Sequence, residues 1–410
     1  MPVTRRISLM GLLLVSLMSS AHAAETLTLT RAEALAIERA PLLSHHRTNV
    51  NAVAERVVYE GRLPDPQLTV GAVNVPTDSW SLRDEDMTML SVGVRQNIPA
   101  GDTLAARERR AQKTLSREEA MLEIQRRTLL RQLRHLWFEL YAQEHSLDFI
   151  DRSRELQQRT LKAAEGRYRA AQEQQQVVLR ERQALARLDE KALMVRSQIA
   201  RVRAQLARYL GEAANDTLPT ELAPLPPVPE FDVTRHPEWL AGQAGIDIAQ
   251  AEVELTRQEY KPGVMLDLSY GFRRPMPNGT ERSDMVTAMV TVDLPLFRSK
   301  RQDRRLAEKQ SFETAARFEL EDKQRELQAM YAAARAERDA LEARVKLVAE
   351  QLLPDMRREA QVAAGFARDA NLRREAQMKA LDAELELLRL HAEHAKSAAE
   401  LLYLTGEPQS

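Results

Sequence analysis

Two histidine pairs are the first residues whose spacing could do chemistry. His391 and His394 stand three apart, which on a helix can present two imidazoles to one metal ion. His45 and His46 are adjacent. No carboxylate–histidine motif of a metalloenzyme surrounds either pair, and a position flanking a helical seam accounts for each without a metal. There is no cysteine, so thiolate metal sites, disulfides and lipid attachment at an N-terminal Cys are excluded. No P-loop, HExxH or GxSxG occurs. The expectation is a protein that is not an enzyme and holds no cofactor or metal. The one enzymatic alternative is a barrel with its active residues scattered over separate strands.

The remaining candidates are charged and amide side chains in two settings. Gln175, Arg180, Glu181 and Arg182 lie near one reversal of long helical stretches, and Asp369, Arg373, Arg374 and Glu375 near another. The reversals fall near Ala163–Arg182 and Val362–Gln377. Charges at a constriction form a selectivity ring or an ion-pair lock. On an open helix they are only a solvated face. Arg95, Asp267, Arg273 and Asp293 instead interrupt short alternating segments, where they would line a wet lumen.

Those segments read as strands. In Met87–Pro99, Thr88, Leu90, Val92, Val94 and Ile98 share one face, and Ser91, Gly93, Arg95 and Asn97 the other. In Asp284–Pro295, Val286, Ala288, Val290, Val292 and Leu294 oppose Thr287, Met289, Thr291 and Asp293. A weaker strand at 67–75 precedes the first, with Leu68, Val70 and Ala72 on one face. A cleaner one precedes the second: Val264, Leu266, Leu268, Tyr270 and Phe272 against Met265, Asp267, Ser269, Gly271 and Arg273. Polar loops join each pair into a hairpin.

Long helices flank both hairpins. From Thr103 to Tyr168 no proline interrupts, and such a helix would reach ~100 Å. Leu129, Leu133, Leu136, Leu140, Leu147 and Ile150 mark its seam. Leu185, Leu188, Ala192, Val195, Ile199, Val202, Leu206 and Tyr209 keep an unbroken three–four spacing, a coiled-coil seam. Met378, Leu381, Leu385, Leu388, Ala392, Ala395, Ala399 and Leu402 repeat it. Thr30 is the expected N-cap of the first helix, which Pro41 disturbs. Pro354 predicts a kink or break near Leu353.

The chain is a duplication. Ala40-Pro41 matches His236-Pro237, Pro99 matches Pro295, Arg109-Arg110 matches Arg304-Arg305, and Tyr209-Leu210 matches Tyr403-Leu404. Residues 24–212 form a first repeat, with hairpin 65–98 and helices 30–62, 101–168 and 171–211. A Pro-rich linker covers 213–235. Residues 236–407 form the second repeat, with hairpin 263–296 and helices 237–261, 298–365 and 370–404.

Residues 1–23 read as a secretory signal peptide: Arg5-Arg6, an apolar run from Ile7 to Met18, then Ala21-His22-Ala23. Its removal takes two arginines from a formal net charge of −1, leaving −3. That balance gives no support for nucleic-acid binding. Ten-residue strands match a transmembrane β-strand. Four strands cannot close a barrel, and an open edge in lipid is forbidden, so several copies must share one. Helices continuing on one side would extend it as a tube. The rival readings are soluble hairpins over a helical core, or a periplasmic coiled-coil scaffold.

The duplicated layout resembles the TolC-like outer-membrane efflux family, as do Arg167-Tyr168-Arg-Ala-Ala, Ala376-Gln377 and Tyr403-Leu-Thr-Gly406. Leu63-Pro-Asp-Pro-Gln-Leu68 and Asn74-Val-Pro76 are similar to its heavy-metal branch, whose members serve resistance–nodulation–division (RND) pumps for cobalt, zinc, cadmium, copper or silver. The resemblance implies a mainly α protein with a membrane β-barrel. It further implies a homotrimer with a twelve-stranded barrel, continued by a periplasmic coiled-coil tunnel. Expected partners are a periplasmic adaptor protein, an inner-membrane pump and outer-membrane lipid. It implies a passive conduit in the outer membrane of a Gram-negative bacterium, with heavy-metal cations as cargo. Drugs, other organic compounds or secreted polypeptides are the alternative cargoes. The family closes its aperture through polar contacts at the tips; its typical paired aspartates are not evident here.

Overall fold

The computed structural model describes residues 26–366 and 370–407; the leader at 1–23 lies outside them. The helices are α1 (Leu29–Arg39), α2 (Pro41–Glu60), α3 (Thr103–Arg169), α4 (Gln175–Leu210), α5 (Pro237–Gln258), α6 (Gln302–Leu347), α7 (Leu353–Phe366) and α8 (Ala370–Thr405). The strands are β1 (Gln67–Val73), β2 (Met89–Ile98), β3 (Gly263–Phe272) and β4 (Met285–Asp293). Each half therefore runs helix, hairpin, long helix, returning helix.

Three local features depart from the sequence reading or sharpen it. The N-cap of α1 is Thr28, not Thr30: its Oγ1 accepts from the Arg31 N–H at 3.3 Å, and Thr30 already lies inside the helix. The expected helix over 30–62 is two helices. Pro41 forces Ala40 into an extended conformation (φ −69°, ψ 109°) and becomes the first residue of α2. Before Pro354, the ladder widens into a π-helical turn at Val348–Leu352. Proline supplies no N–H and crowds the carbonyl four residues back, and the wider turn relieves both.

The main core forms where α3 crosses its neighbours. Leu133, Trp137, Phe138 and Leu140 are fully buried against Leu27, Leu206 and Leu210. Burying each such side chain contributes about 1.5–3 kcal/mol. The Trp137 indole N–H donates to the Leu27 carbonyl at 3.0 Å, so its polar edge is satisfied as well. Further along, Ile150 packs on Ala192 and Val195, joining the seams of α3 and α4. In the second half Leu341 and Val348 pack on Leu390, joining α6 to α8. Residues 213–235 are a docked strap, not a free linker: Leu218, Leu222 and Leu225 lie on the main core, and Phe231 stacks on Tyr331.

Ion pairs tie the two repeats together. Lys396 of α8 donates to Glu139 of α3 at 2.5 Å. Burial, the largest single influence, would raise the Glu139 pKa, but the Lys396 hydrogen bond and charge together with hydrogen bonds from Gln143 and Gln198 outweigh it and hold the carboxyl below the usual range. Arg134, buried on α3, bonds Glu33 and Glu407, each at 2.6 Å, and so holds both ends of the described chain.

The strands form one antiparallel sheet in the order β1-β2-β3-β4. Its register aligns the apolar positions into rows. Leu68, Val94, Leu268 and Ala288 form one row, and Val70, Val92, Tyr270 and Val286 the next. This face is bare: Leu68 is 71% and Val70 72% exposed. The opposite face carries Thr69, Gly93, Ser269 and Thr287 in one row. All four helical connections leave the same end, since Ile98 lies opposite Val264 and Gly263 opposite Asp293. The sheet does not close on itself, so β1 and β4 are its edges.

Candidate functional site

On the polar face of the sheet, Arg95 and Asp267 occupy directly opposed positions of β2 and β3. Arg95 Nε donates to Asp267 Oδ2 at 2.8 Å. This pair crosses from one repeat to the other and neutralises two of the four charges expected in a lumen. Asp293 stands exposed at the helix-bearing end of β4 and forms no ion pair among the described residues.

Arg273 lies past the end of β3, where its role is tying loops together. Its Nε donates to the Ser283 carbonyl at 2.6 Å, and its Nη1 to the Asp86 carbonyl at 3.1 Å. Arg282, which sequence reasoning missed, extends that clamp. It is buried and donates to the carbonyls of Arg274, Glu85 and Leu82. The two hairpin loops are thus laced into one unit. A lone arginine in a polar loop carries no sequence signal for this.

The second cluster lies at the helical tips. The turn between α3 and α4 covers residues 170–174, with Ala171 in the left-handed region (φ 54°). Of the eight residues expected near the tips, the structure brings two together. Arg374 of α8 forms an ion pair with Glu181 of α4. Glu181 is buried and also accepts from Gln157 Nε2 of α3 at 2.6 Å. The same Gln157 nitrogen donates to the Glu181 carbonyl at 3.1 Å. Arg182 pairs with Glu165 at 2.8 Å on an exposed face. Gln175, Arg180, Arg373 and Glu375 are exposed, and the three charged ones form no ion pair among the described residues. Asp369 lies outside the described residues.

Gln157 was also missed, although its signal was present. Ile150, Ser153, Gln157 and, with one place skipped, Ala164 continue the α3 seam, and all are buried. Glu181 extends the α4 seam back from Leu185 by four residues, and Arg374 extends the α8 seam back from Met378 by four. The three polar groups are therefore seam positions. Polar residues at a seam fix its register at a cost in stability. Here buried Gln157 and Glu181 and half-buried Arg374 form one polar layer joining three helices.

The histidines stay apart from any such layer. His391 is exposed, while His394 is half-buried and held below its usual pKa by burial and by the Arg338 charge. Among the described residues no group of three His, Cys, Asp or Glu could hold a metal ion. Among the described residues no helix is long and apolar enough to cross a membrane.

The fold is similar to those of several solved membrane proteins. The fold matches CusC, the subject of crystal structures on folding and transmembrane channel formation, with a TM-score of 0.76 and 13% identity over 93% of this chain and 92% of that one. It matches the outer-membrane protein VceC of Vibrio cholerae (TM-score 0.75, 16% identity, 92% and 96% of the two chains). It also matches the open state of the Neisseria gonorrhoeae MtrE outer-membrane channel (TM-score 0.70, 16% identity, 92% and 89%). No protein-family model and no curated protein sequence matches the chain.

Proposed function

We propose that this protein is the outer-membrane outlet of a tripartite export system, a passive conduit and not an enzyme. The observation that carries this reading is the sheet. One face is a continuous bare apolar surface, both edges are open, and every helical connection leaves from one end. A bare apolar face suits lipid, and open edges in lipid must be paired. Three copies supply twelve strands, with the Arg95–Asp267 face lining the lumen. The helices then extend as a periplasmic tube whose tips meet an adaptor and an inner-membrane RND-type pump. The Glu181–Arg374–Gln157 layer ties two helical hairpins together near the aperture and acts as its resting lock. The outer-membrane location and the signal peptide belong to the same reading.

For cargo we propose heavy-metal cations, on the residues Leu63–Leu68 and Asn74–Pro76. A duct of this kind passes its load without a tight site, because tight binding would slow release. Envelope fractionation and gel migration of unheated against heated protein test the conduit. Outer-membrane residence with a heat-labile species near three times the monomer mass is expected. A soluble periplasmic monomer would refute it. Cargo is tested by deleting the gene and scoring growth on zinc, cobalt, cadmium, copper and silver salts against organic toxins. Sensitivity confined to organic toxins would remove the metal reading and leave the conduit standing.

A further inference from the structure

We infer that the junction between β4 and α6 is an interfacial anchor for anionic phospholipid, built into the second repeat alone. The inference rests on the membrane reading of the sheet. β4 ends at Asp293, at the helix-bearing end, and the chain continues Leu294-Pro-Leu-Phe-Arg-Ser-Lys-Arg301. Leu296 is 73% and Phe297 82% exposed, the latter more than any other large apolar side chain among the described residues. Local bonds hold the segment in shape. The Leu296 N–H donates to the Leu294 carbonyl at 2.9 Å, Arg298 Nε donates to the Pro295 carbonyl at 3.1 Å, and residues Arg298–Lys300 form a single 3-10 turn.

Four cations follow at once: Arg298, Lys300, Arg301 and Arg304. All are exposed, and none forms an ion pair among the described residues. The nearby acid Asp303 is engaged by the Tyr260 hydroxyl at 2.6 Å, and Glu259 is taken by Arg305 at 2.8 Å. The matching junction of the first repeat is built differently. Up to the start of α3 it reads Ile98-Pro-Ala-Gly-Asp-Thr103, with no aromatic and no cation; its first cations, Arg107 and Arg109, lie within α3, where Arg109 is the counterpart of Arg304 in α6. Lys261 pairs with its Asp102 at 3.1 Å, and Gln258 Oε1 accepts from the Asp102 N–H at 3.0 Å. One junction is closed by internal contacts, and the other leaves an apolar tip beside unpaired positive charge.

Apolar groups reaching the acyl boundary, with cations at phosphate level, are what an anionic membrane surface binds. Each lysine or arginine near such a surface contributes about a five-fold gain in association. The occupant is the anionic phospholipid of the leaflet at the helix-bearing end. A neighbouring copy of the chain, pairing along the β4 edge, is the competing occupant.

The absence of cysteine makes a single engineered thiol a unique probe. The full-length protein carrying Ser299→Cys is labelled with bimane in vesicles, and Val292→Cys on the bare sheet face serves as control. Nitroxide-labelled phosphatidylglycerol and phosphatidylcholine are compared as quenchers. Quenching at position 299 at least five-fold more effective by phosphatidylglycerol is expected. That preference should fall to near unity when Arg298, Lys300, Arg301 and Arg304 are all changed to Gln. Equal quenching by both lipids in the otherwise native protein overturns the anchor. So does a label at 299 shielded from both lipids while Val292→Cys is quenched, which means a second copy covers the junction. If Val292→Cys is not quenched either, the membrane reading itself falls.

Discussion

Arg374→Ala should release the tip of the helical tube. The Glu181 side chain is 5% exposed and that of Arg374 19% exposed. Removing one partner of a fully buried pair costs about 3–5 kcal/mol, because the other charge is left uncompensated. Arg374 keeps some solvent contact, so about 2–3 kcal/mol is appropriate here. That corresponds to about a 30- to 150-fold shift towards separated tips. Purified full-length protein in planar bilayers reads this directly as open-state occupancy and conductance. Glu181→Gln should behave alike, because the amide oxygen still accepts from Gln157 but no longer pairs with Arg374. The double variant should be no more open than either single one, giving a coupling energy of about 2–3 kcal/mol. The thermal midpoint should stay close to the parent's, since the main core around Trp137 is remote from this layer in all three variants. Parental conductance in both single variants, or strictly additive effects, would refute the lock.

Other perturbations probe other levels. Arg95→Gln should change cation-over-anion selectivity in bilayer recordings while costing at most about 1 kcal/mol of stability, because the pair is partly exposed. Gly93→Leu should impair oligomer formation on unheated gels. A Cβ at that position would lie 2.7 Å from Ser269 Cβ and 2.9 Å from Thr69 Oγ1, and such overpacking costs about 1–3 kcal/mol or more. His236 should make stability pH-dependent. It caps α5 by accepting from the Glu238 N–H at 3.2 Å, and burial pushes its pKa down to about 4 from an ordinary 6.5. The unfolded chain takes up this proton near 6.5 and the folded chain only near 4. Stability is therefore full above pH 6.5, falls as pH drops towards 4, and loses at most about 3 kcal/mol. His236→Asn keeps a capping oxygen and should flatten the urea midpoint between pH 6.5 and 5.

Strand alternation, seam spacing and the matched positions of the two halves are short-range patterns, so they could be read along the chain. They located both hairpins, the long helices and the turn near Gln172–Gln176. They also placed Arg95 and Asp267 on the polar faces of separate strands, because side-chain direction in a strand follows from parity alone. Parity could not say that the two lie opposite each other. That follows from the β2–β3 pairing, which joins the repeats across 172 residues of sequence. The tips show the same division. Continuing the seams past Ile150, Leu185 and Met378 would have marked Gln157, Glu181 and Arg374 as inward-facing, a step the sequence reading did not take, and only the packing of α3, α4 and α8 makes them a single layer. Local pattern fixes which way a side chain points. Which partner it meets depends on the relative placement of distant elements, and that is decided by the shared core around Trp137 and by the sheet register.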